Sequence, residues 1–184
     1  MQFVKHPIFE GKHAFLGASK SAWLRYDDKK VIDTYRNARA AALGTAMHEL
    51  AAEHIRLGLP FGDEPGTVGM FVNDAIRYSM TPEQVLYYSD YAFGTADAIS
   101  FDEDSELLRI HDLKTGRGAT KFEQLEVYAA LFCLEYNFRP TINMQLRIYQ
   151  NEEVRSHIPD PDDILDIMTR IVHFSDILIT EDQC

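Results

Sequence analysis

Cysteine is nearly absent from the sequence: two residues, Cys133 and Cys184, in a chain of 184. Neither stands in a C-x-x-C pair, which excludes a disulfide framework, a cysteine-rich zinc site and a four-cysteine iron–sulfur cluster. Cys133 falls inside an apolar helical stretch, the setting of a small core residue. No apolar run is long enough to span a bilayer, and the opening MQFVKHPIFEGKH lacks the apolar heart of a signal peptide. A cytoplasmic protein without a membrane partner is therefore expected. Repeats, low-complexity tracts and Pro/Gly/Ser-rich linkers are also missing, so residues 1–184 are expected to form a single domain. With 46 % hydrophobic residues the chain has enough apolar material for a real core.

What is present is acid, unevenly spread. The net charge is −11, the wrong sign for the basic footprint of a nucleic-acid protein. Residues 1–56 nevertheless hold nine Lys/Arg against six Asp/Glu, and residues 109–121 hold four against one, +3 in each case. The acid sits in 57–108 and 151–184, at −9 and −7. The two basic stretches coincide with the segments that carry the candidate chemistry.

Pattern along the chain predicts helices first, then three strands, a helix, a strand and a helix. LGASKSAWLRYDDKK opens with Ser19 or Ser21 as a helix cap. The following helical stretch runs to about Leu57, with an interruption expected at Gly44-Thr45. GLPFGDEPGTVG is a loop and MFVNDAIRYSM a short helix. QVLYYSDYAFGTADAISF, rich in β-branched and aromatic residues, predicts two strands meeting near Gly94. DEDSE is a polar hairpin turn and LLRIHDLK a third strand. TKFEQLEVYAALFCLEYNF is a helix with Thr120 and Glu123 at capping-box spacing. TINMQLRIYQ alternates as a fourth strand, and an acidic helix over about 161–180 begins with Pro and Asp. This order implies a mixed central sheet flanked by helices, an α/β (α+β) fold.

Side chains alternate along strands, so Leu108, Ile110, Asp112 and Lys114 share one face while His111 takes the other. Thr95, Asp97, Ile99 and Phe101 share a face likewise. If the two strands pair antiparallel across DEDSE, Asp97 comes near Asp112. Two carboxylates about 4 Å apart repel by roughly 4 kcal/mol at an effective dielectric of 20, and a hard divalent cation relieves that. D-x-K alone arises by chance roughly once in a chain of this length, so Asp112 and Lys114 carry meaning only through their surroundings. His48 shares a helical face with Gly44, Ala51, Ala52 and Ile55, the setting of a core or rim histidine more often than of a ligand. Lys121, Gln124 and Tyr128 fall on one helical stripe, and Gly116-Arg117-Gly118 has the composition of a phosphate cradle.

Taken together, G-T-x-x-H (Gly44, Thr45, His48), G-T-x-D (Gly94, Thr95, Asp97), D-x-K-T-G (Asp112, Lys114, Thr115, Gly116) and Q-x-x-x-Y (Gln124, Tyr128) form an ordered set. It resembles the RecB-type branch of the PD-(D/E)XK nuclease superfamily, found in recombination helicases, CRISPR adaptation nucleases and phage exonucleases. SKSAWL is similar to the Ser-rich, Trp-containing opening helix of phage members. The likeness covers about residues 17–150 and implies a restriction-endonuclease-like αβββαβ core.

By position, the resemblance implies that His48, Asp97, Asp112 and the Leu113 carbonyl bind Mg2+ or Mn2+. Lys114 would orient or deprotonate the attacking water. Gln124 and Tyr128 would position the strand, with Arg117 and Lys121 on DNA phosphates. The implied activity is a divalent-metal-dependent DNA exonuclease of phage recombination or DNA processing, acting in the host cytoplasm, with a recombination or annealing protein as a possible partner. The alternatives are a structure- or sequence-specific endonuclease, a non-catalytic DNA-binding or scaffolding subunit of the same fold, and a hydrolase of small phosphoesters. The iron–sulfur cysteines of many relatives are missing, and without a Walker A sequence any helicase motor would be another protein. With the charge distribution, DNA is expected to run between the N-terminal helices and the Gly116 loop, with the acidic C-terminal helix away from it or facing a partner.

Overall fold

Apolar residues alternate with polar ones through the middle of the chain, and they assemble into one five-stranded sheet in the computed structural model, which describes residues 4–63 and 65–183. The chain divides into two compact units, one up to Leu43 and one from Gly44 onward. The first holds two 3-10 segments, Pro7–Phe9 and Ala18–Arg25, and the beginning of α1 (Asp28–Leu57). The second holds the rest of α1, then α2 (Gly66–Arg77), β1 (Thr81–Ser89), β2 (Ala92–Asp102) and β3 (Leu107–Leu113). α3 (Glu123–Glu135), β4 (Asn143–Gln150), β5 (Glu153–His157) and α4 (Pro161–Glu181) complete it. No helix among the described residues is long and apolar enough to cross a membrane.

The sheet order is β1-β2-β3-β4-β5. All neighbours are antiparallel except β3 and β4, which run parallel from Leu107 beside Asn143 to Leu113 beside Tyr149. A parallel pair needs a crossover, and α3 supplies it. Leu108 and Ile110 lie fully buried under Leu125, Ala129 and Phe132 of α3 and Ile164 of α4. On the opposite face Ala98, Leu113 and Tyr149 pack with Ala51 and Ile55 of α1 and Phe71, Val72 and Ala75 of α2. The sheet is thus flanked by helices on both faces, and its third strand is covered on both. Cys133 is buried in the α3 face, and burial pushes its thiol up to about 11.

Several local expectations are corrected. β1 and β2 meet at Asp90 and Tyr91, where Ser89 Oγ accepts the Tyr91 N–H, and Gly94 lies inside β2 opposite Leu86. α1 continues through Gly44-Thr45 without a break. α3 starts at Glu123 with no side-chain cap, because Thr120 is drawn instead to Gln150 of β4 and Arg155 of β5. Lys121 therefore precedes the helix rather than sharing its stripe. Neither Ser19 nor Ser21 caps the segment after Gly17; the Trp23 indole N–H donates to the Gly17 carbonyl at 3.0 Å. β5 has no counterpart in the sequence reading. Its residues are mostly exposed, and its hairpin turns on Asn151 and Glu152 at φ 51° and 62°, a left-handed pair in which glycine is the usual signal.

A polar group is built into the core beside the sheet centre. His111 is wholly buried, with Nδ1 3.1 Å from the Tyr149 hydroxyl. That hydroxyl donates to Asp74 at 2.7 Å, so it accepts from His111 and fixes the Nδ1–H tautomer. Asp74 also pairs with Arg77 at 2.8 Å and Arg147 at 3.0 Å. Burial, with Arg147, Arg109 and Arg77 nearby, pulls the His111 imidazole down to about 3.

Candidate metal centre

Antiparallel pairing of Ala98 with His111 carries the next positions, Asp97 and Asp112, side by side where β3 ends. Asp97 accepts the Leu113 backbone N–H at 2.8 Å through one oxygen. Its other oxygen lies 3.3 Å from His48 Nδ1, delivered by α1. The hydrogen bond to Asp97 raises the His48 imidazole above its ordinary value, against the opposing pull of burial. Asp112 is almost entirely enclosed, and burial, then the neighbouring Asp97 charge, pushes its carboxyl up.

Lys114 Nζ stands 2.9 Å from Asp112 Oδ1 and 2.7 Å from Gln124 Oε1. Gln124 in turn donates to the Tyr128 hydroxyl at 3.1 Å, and burial raises that phenol. An ammonium has three N–H donors, so one remains beyond these two bonds. The sequence-predicted residues His48, Asp97, Asp112, Leu113, Lys114, Gln124 and Tyr128 therefore form one continuous set of contacts. Asp97 links its first half through His48 and Leu113, and Lys114 links its second.

Two motif glycines are explained by close approach. A β-carbon at Gly44 would stand 2.8 Å from Thr115 Oγ1, and one at Gly94 would stand 2.8 Å from Tyr128 Cε1. Each glycine thus makes room for a residue of another motif. Gly116 and Gly118 differ: a β-carbon at either would meet nothing within 4 Å. Their carbonyls instead accept from Gln150 Nε2 at 2.6 and 2.8 Å, which ties the loop to β4. Arg117 lies exposed on this loop, and Lys121 pairs with Glu123 at 3.1 Å.

Glu83 is the residue that sequence reasoning missed. Pairing of Pro82 with Ala98 and of Gln84 with Ala96 sets Glu83 across from Asp97. Its φ of 51° is left-handed, a costly conformation for a residue with a side chain. One ligand atom each from His48, Glu83 and Asp97 lies within 4.8 Å of the others, a set that could hold a metal ion. Burial and the Asp97 charge raise the Glu83 carboxyl. The signal available in the sequence was only a carboxylate after Pro82, just ahead of the predicted strand, with no motif around it.

The donor set could hold a metal ion. Besides the His48–Glu83–Asp97 group, the buried Oδ2 of Asp112 has no hydrogen-bond partner. An ionised oxygen buried without a partner costs several kcal/mol, on the order of what a cation would relieve. Carboxylates and imidazole are both ligands for divalent metal ions. A cleft of about 560 Å3 opens beside the group, lined by His48, Glu49, Glu53, Arg56 and Glu83. No family model matches the chain, and neither does any curated protein or solved structure.

Proposed function

We propose that the chain is a divalent-metal-dependent deoxyribonuclease of the RecB-type PD-(D/E)XK kind, acting as an exonuclease. The observation that carries this reading is the meeting of four separated sequence segments at one place: His48, Asp97, Asp112–Lys114 and Gln124–Tyr128, joined by contacts of 2.7 to 3.3 Å. The element order, helix then three antiparallel strands, a crossover helix and a parallel fourth strand, supports an αβββαβ restriction-endonuclease-like core.

His48, Asp97 and Asp112 would hold the cation, Mg2+ or Mn2+, with the Leu113 carbonyl and Glu83 beside them. When bound, such an ion supplies Lewis acidity at a phosphoryl oxygen and lowers the pKa of a water. Lys114, anchored by Asp112 and Gln124, directs its remaining N–H at the attacking water or the phosphate and offsets developing negative charge. Gln124 and Tyr128 fix the Lys114 head group and offer hydroxyl and amide contacts to the strand. Arg117 and Lys121 would meet phosphates outside the centre.

The test is incubation of the purified chain with linear and closed-circular DNA in Mg2+, Mn2+ or EDTA. Metal-dependent loss of linear DNA with circles intact is the expected result. Opening of closed circles would make the chain an endonuclease, and equal degradation in EDTA would sink the metal-dependent reading.

A further inference from the structure

The first unit carries eight Lys/Arg against four Asp/Glu, while the remaining residues carry ten against twenty-five. Within this basic unit lies a cavity of about 1040 Å3, walled by Phe15, Trp23, Tyr26 and Tyr35, with Lys20 and Arg39 among its lining residues. Phe15 and Tyr35 meet edge to face with centroids 5.3 Å apart, and the Trp23 ring is anchored through its bond to Gly17. The Arg39 guanidinium stands 6.0 Å from the centre of the Tyr35 ring. None of the ion pairs among the described residues involves Lys20 or Arg39.

We infer that this cavity binds the bases of single-stranded nucleic acid, an assignment that rests on the nucleic-acid reading of the centre above. Ring faces stack on any base, and cations track the backbone between bases, which is how strands are held without sequence preference. A duplex offers no free base faces, so only an unpaired strand fits. The wall's aliphatic side chains are all alanines, whereas grooves that seat amphipathic peptides are lined by larger aliphatic or methionine side chains. That composition favours a base over an acidic peptide.

Trp23 is the sole tryptophan, so its fluorescence reports on this cavity alone. The full chain in EDTA, where no cleavage is expected, is titrated with a short oligothymidylate, with inorganic polyphosphate and with an acidic amphipathic peptide. Saturable quenching by the oligonucleotide alone is expected. Tyr35→Leu should weaken that binding about tenfold, and Arg39→Gln, which removes a lining charge and leaves the four aromatic rings in place, should reduce its salt slope by about one. Quenching by polyphosphate equal to that by oligothymidylate would reduce the cavity to a charge patch and overturn the proposal. Saturable binding of the peptide with none of the strand would overturn it in favour of a protein partner. A chain that cleaves DNA with no Trp23 response refutes the cavity assignment and leaves the nuclease reading standing. Quenching without any cleavage in Mg2+ or Mn2+ refutes the nuclease and supports the cavity.

Discussion

Gly94 lies against the ring of Tyr128, so closely that a β-carbon on residue 94 would stand 2.8 Å from Cε1. The ring holds its hydroxyl toward Gln124, and Gln124 holds Lys114. Gly94 thus acts on Lys114 at third hand. Its φ is not left-handed, so alanine is sterically opposed only by the ring. Gly94→Ala should cut cleavage tenfold or more and lower stability by about 1–3 kcal/mol. In a Tyr128→Ala background the stability cost should vanish. A thermal-denaturation cycle checks this, and additive effects would mean the two residues do not oppose each other.

Asp112 and Lys114 separate chemistry from stability. Asp112→Asn removes a carboxyl whose pKa is already raised by burial and then by the adjacent Asp97 charge. It should abolish cleavage while leaving stability unchanged or higher. Lys114→Ala strips the buried carboxylate of its cation partner and should destabilise as well as inactivate. Added Mg2+ should raise the melting temperature of the wild-type chain and leave that of Asp112→Asn almost unmoved. Near-wild-type turnover in either variant would reduce the pair to an ordinary salt bridge.

Much of this arrangement was legible in the sequence because it depends on strand parity and order. Alternation along LLRIHDLK assigns Leu108 and Ile110 to a helix-covered face and Asp112 to its edge, and the DEDSE turn brings Asp97 alongside. The turn itself is held by the Ser105 N–H donating to Asp102 at 3.0 Å, an interaction its composition announces. What stayed hidden depends on tertiary contacts. Gly94 resembles a turn glycine but answers to Tyr128, and Thr120 resembles a cap but answers to Gln150. Glu83 enters the group through a left-handed backbone that no periodicity reveals. β5 is an exposed edge whose turn lacks glycine.

Three candidate ligands share a proton dependence. His48, Glu83 and Asp112 all have raised pKa values, through the Asp97 hydrogen bond in the first case and burial in the others. Each must lose its proton before it can ligate a cation. Affinity for Mg2+ or Mn2+ should therefore climb as pH rises from the carboxylate range through the imidazole range, with protons released on binding. Calorimetry in buffers of different ionisation enthalpy measures the release. Equal affinity at pH 5.5 and 7.5 with no proton release would remove these groups from the ligand set.

His111 imposes acid sensitivity of the opposite origin. Its folded pKa, about 3, lies below the ordinary 6.5, so below pH 6.5 the unfolded chain takes up a proton that the folded chain refuses. Its contribution is whole above 6.5 and falls on the order of 1.4 kcal/mol for each pH unit from there toward 3. His48, with a raised folded pKa, adds stability below 6.5 that is lost as pH rises through its folded value. Comparing wild-type with His111→Phe and His48→Ala by denaturant melts from pH 4 to 8 separates the two. An unchanged acid slope in His111→Phe would clear His111.

The loop after β3 is strapped to β4. Gln150 Nε2 binds the carbonyls of Gly116 and Gly118, which holds the loop in place while Arg117 stays exposed between them. No ion pair among the described residues involves Arg117, whereas Lys121 already faces Glu123 at 3.1 Å. A phosphate contact releases about one counterion, so the slope of log affinity against log salt counts such contacts. Arg117→Ala should therefore reduce the slope by about one unit. Lys121→Ala should reduce it by less, because its carboxylate neighbour competes with the phosphate, and Glu123→Gln should strengthen binding. Asp162→Asn with Asp163→Asn, on the first turn of α4, should change affinity little beyond screened long-range repulsion. Binding measured with Ca2+ at several salt concentrations decides the matter. If the α4 change strengthens binding strongly while Arg117→Ala does nothing, DNA passes over α4 and the loop is only a strap on β4.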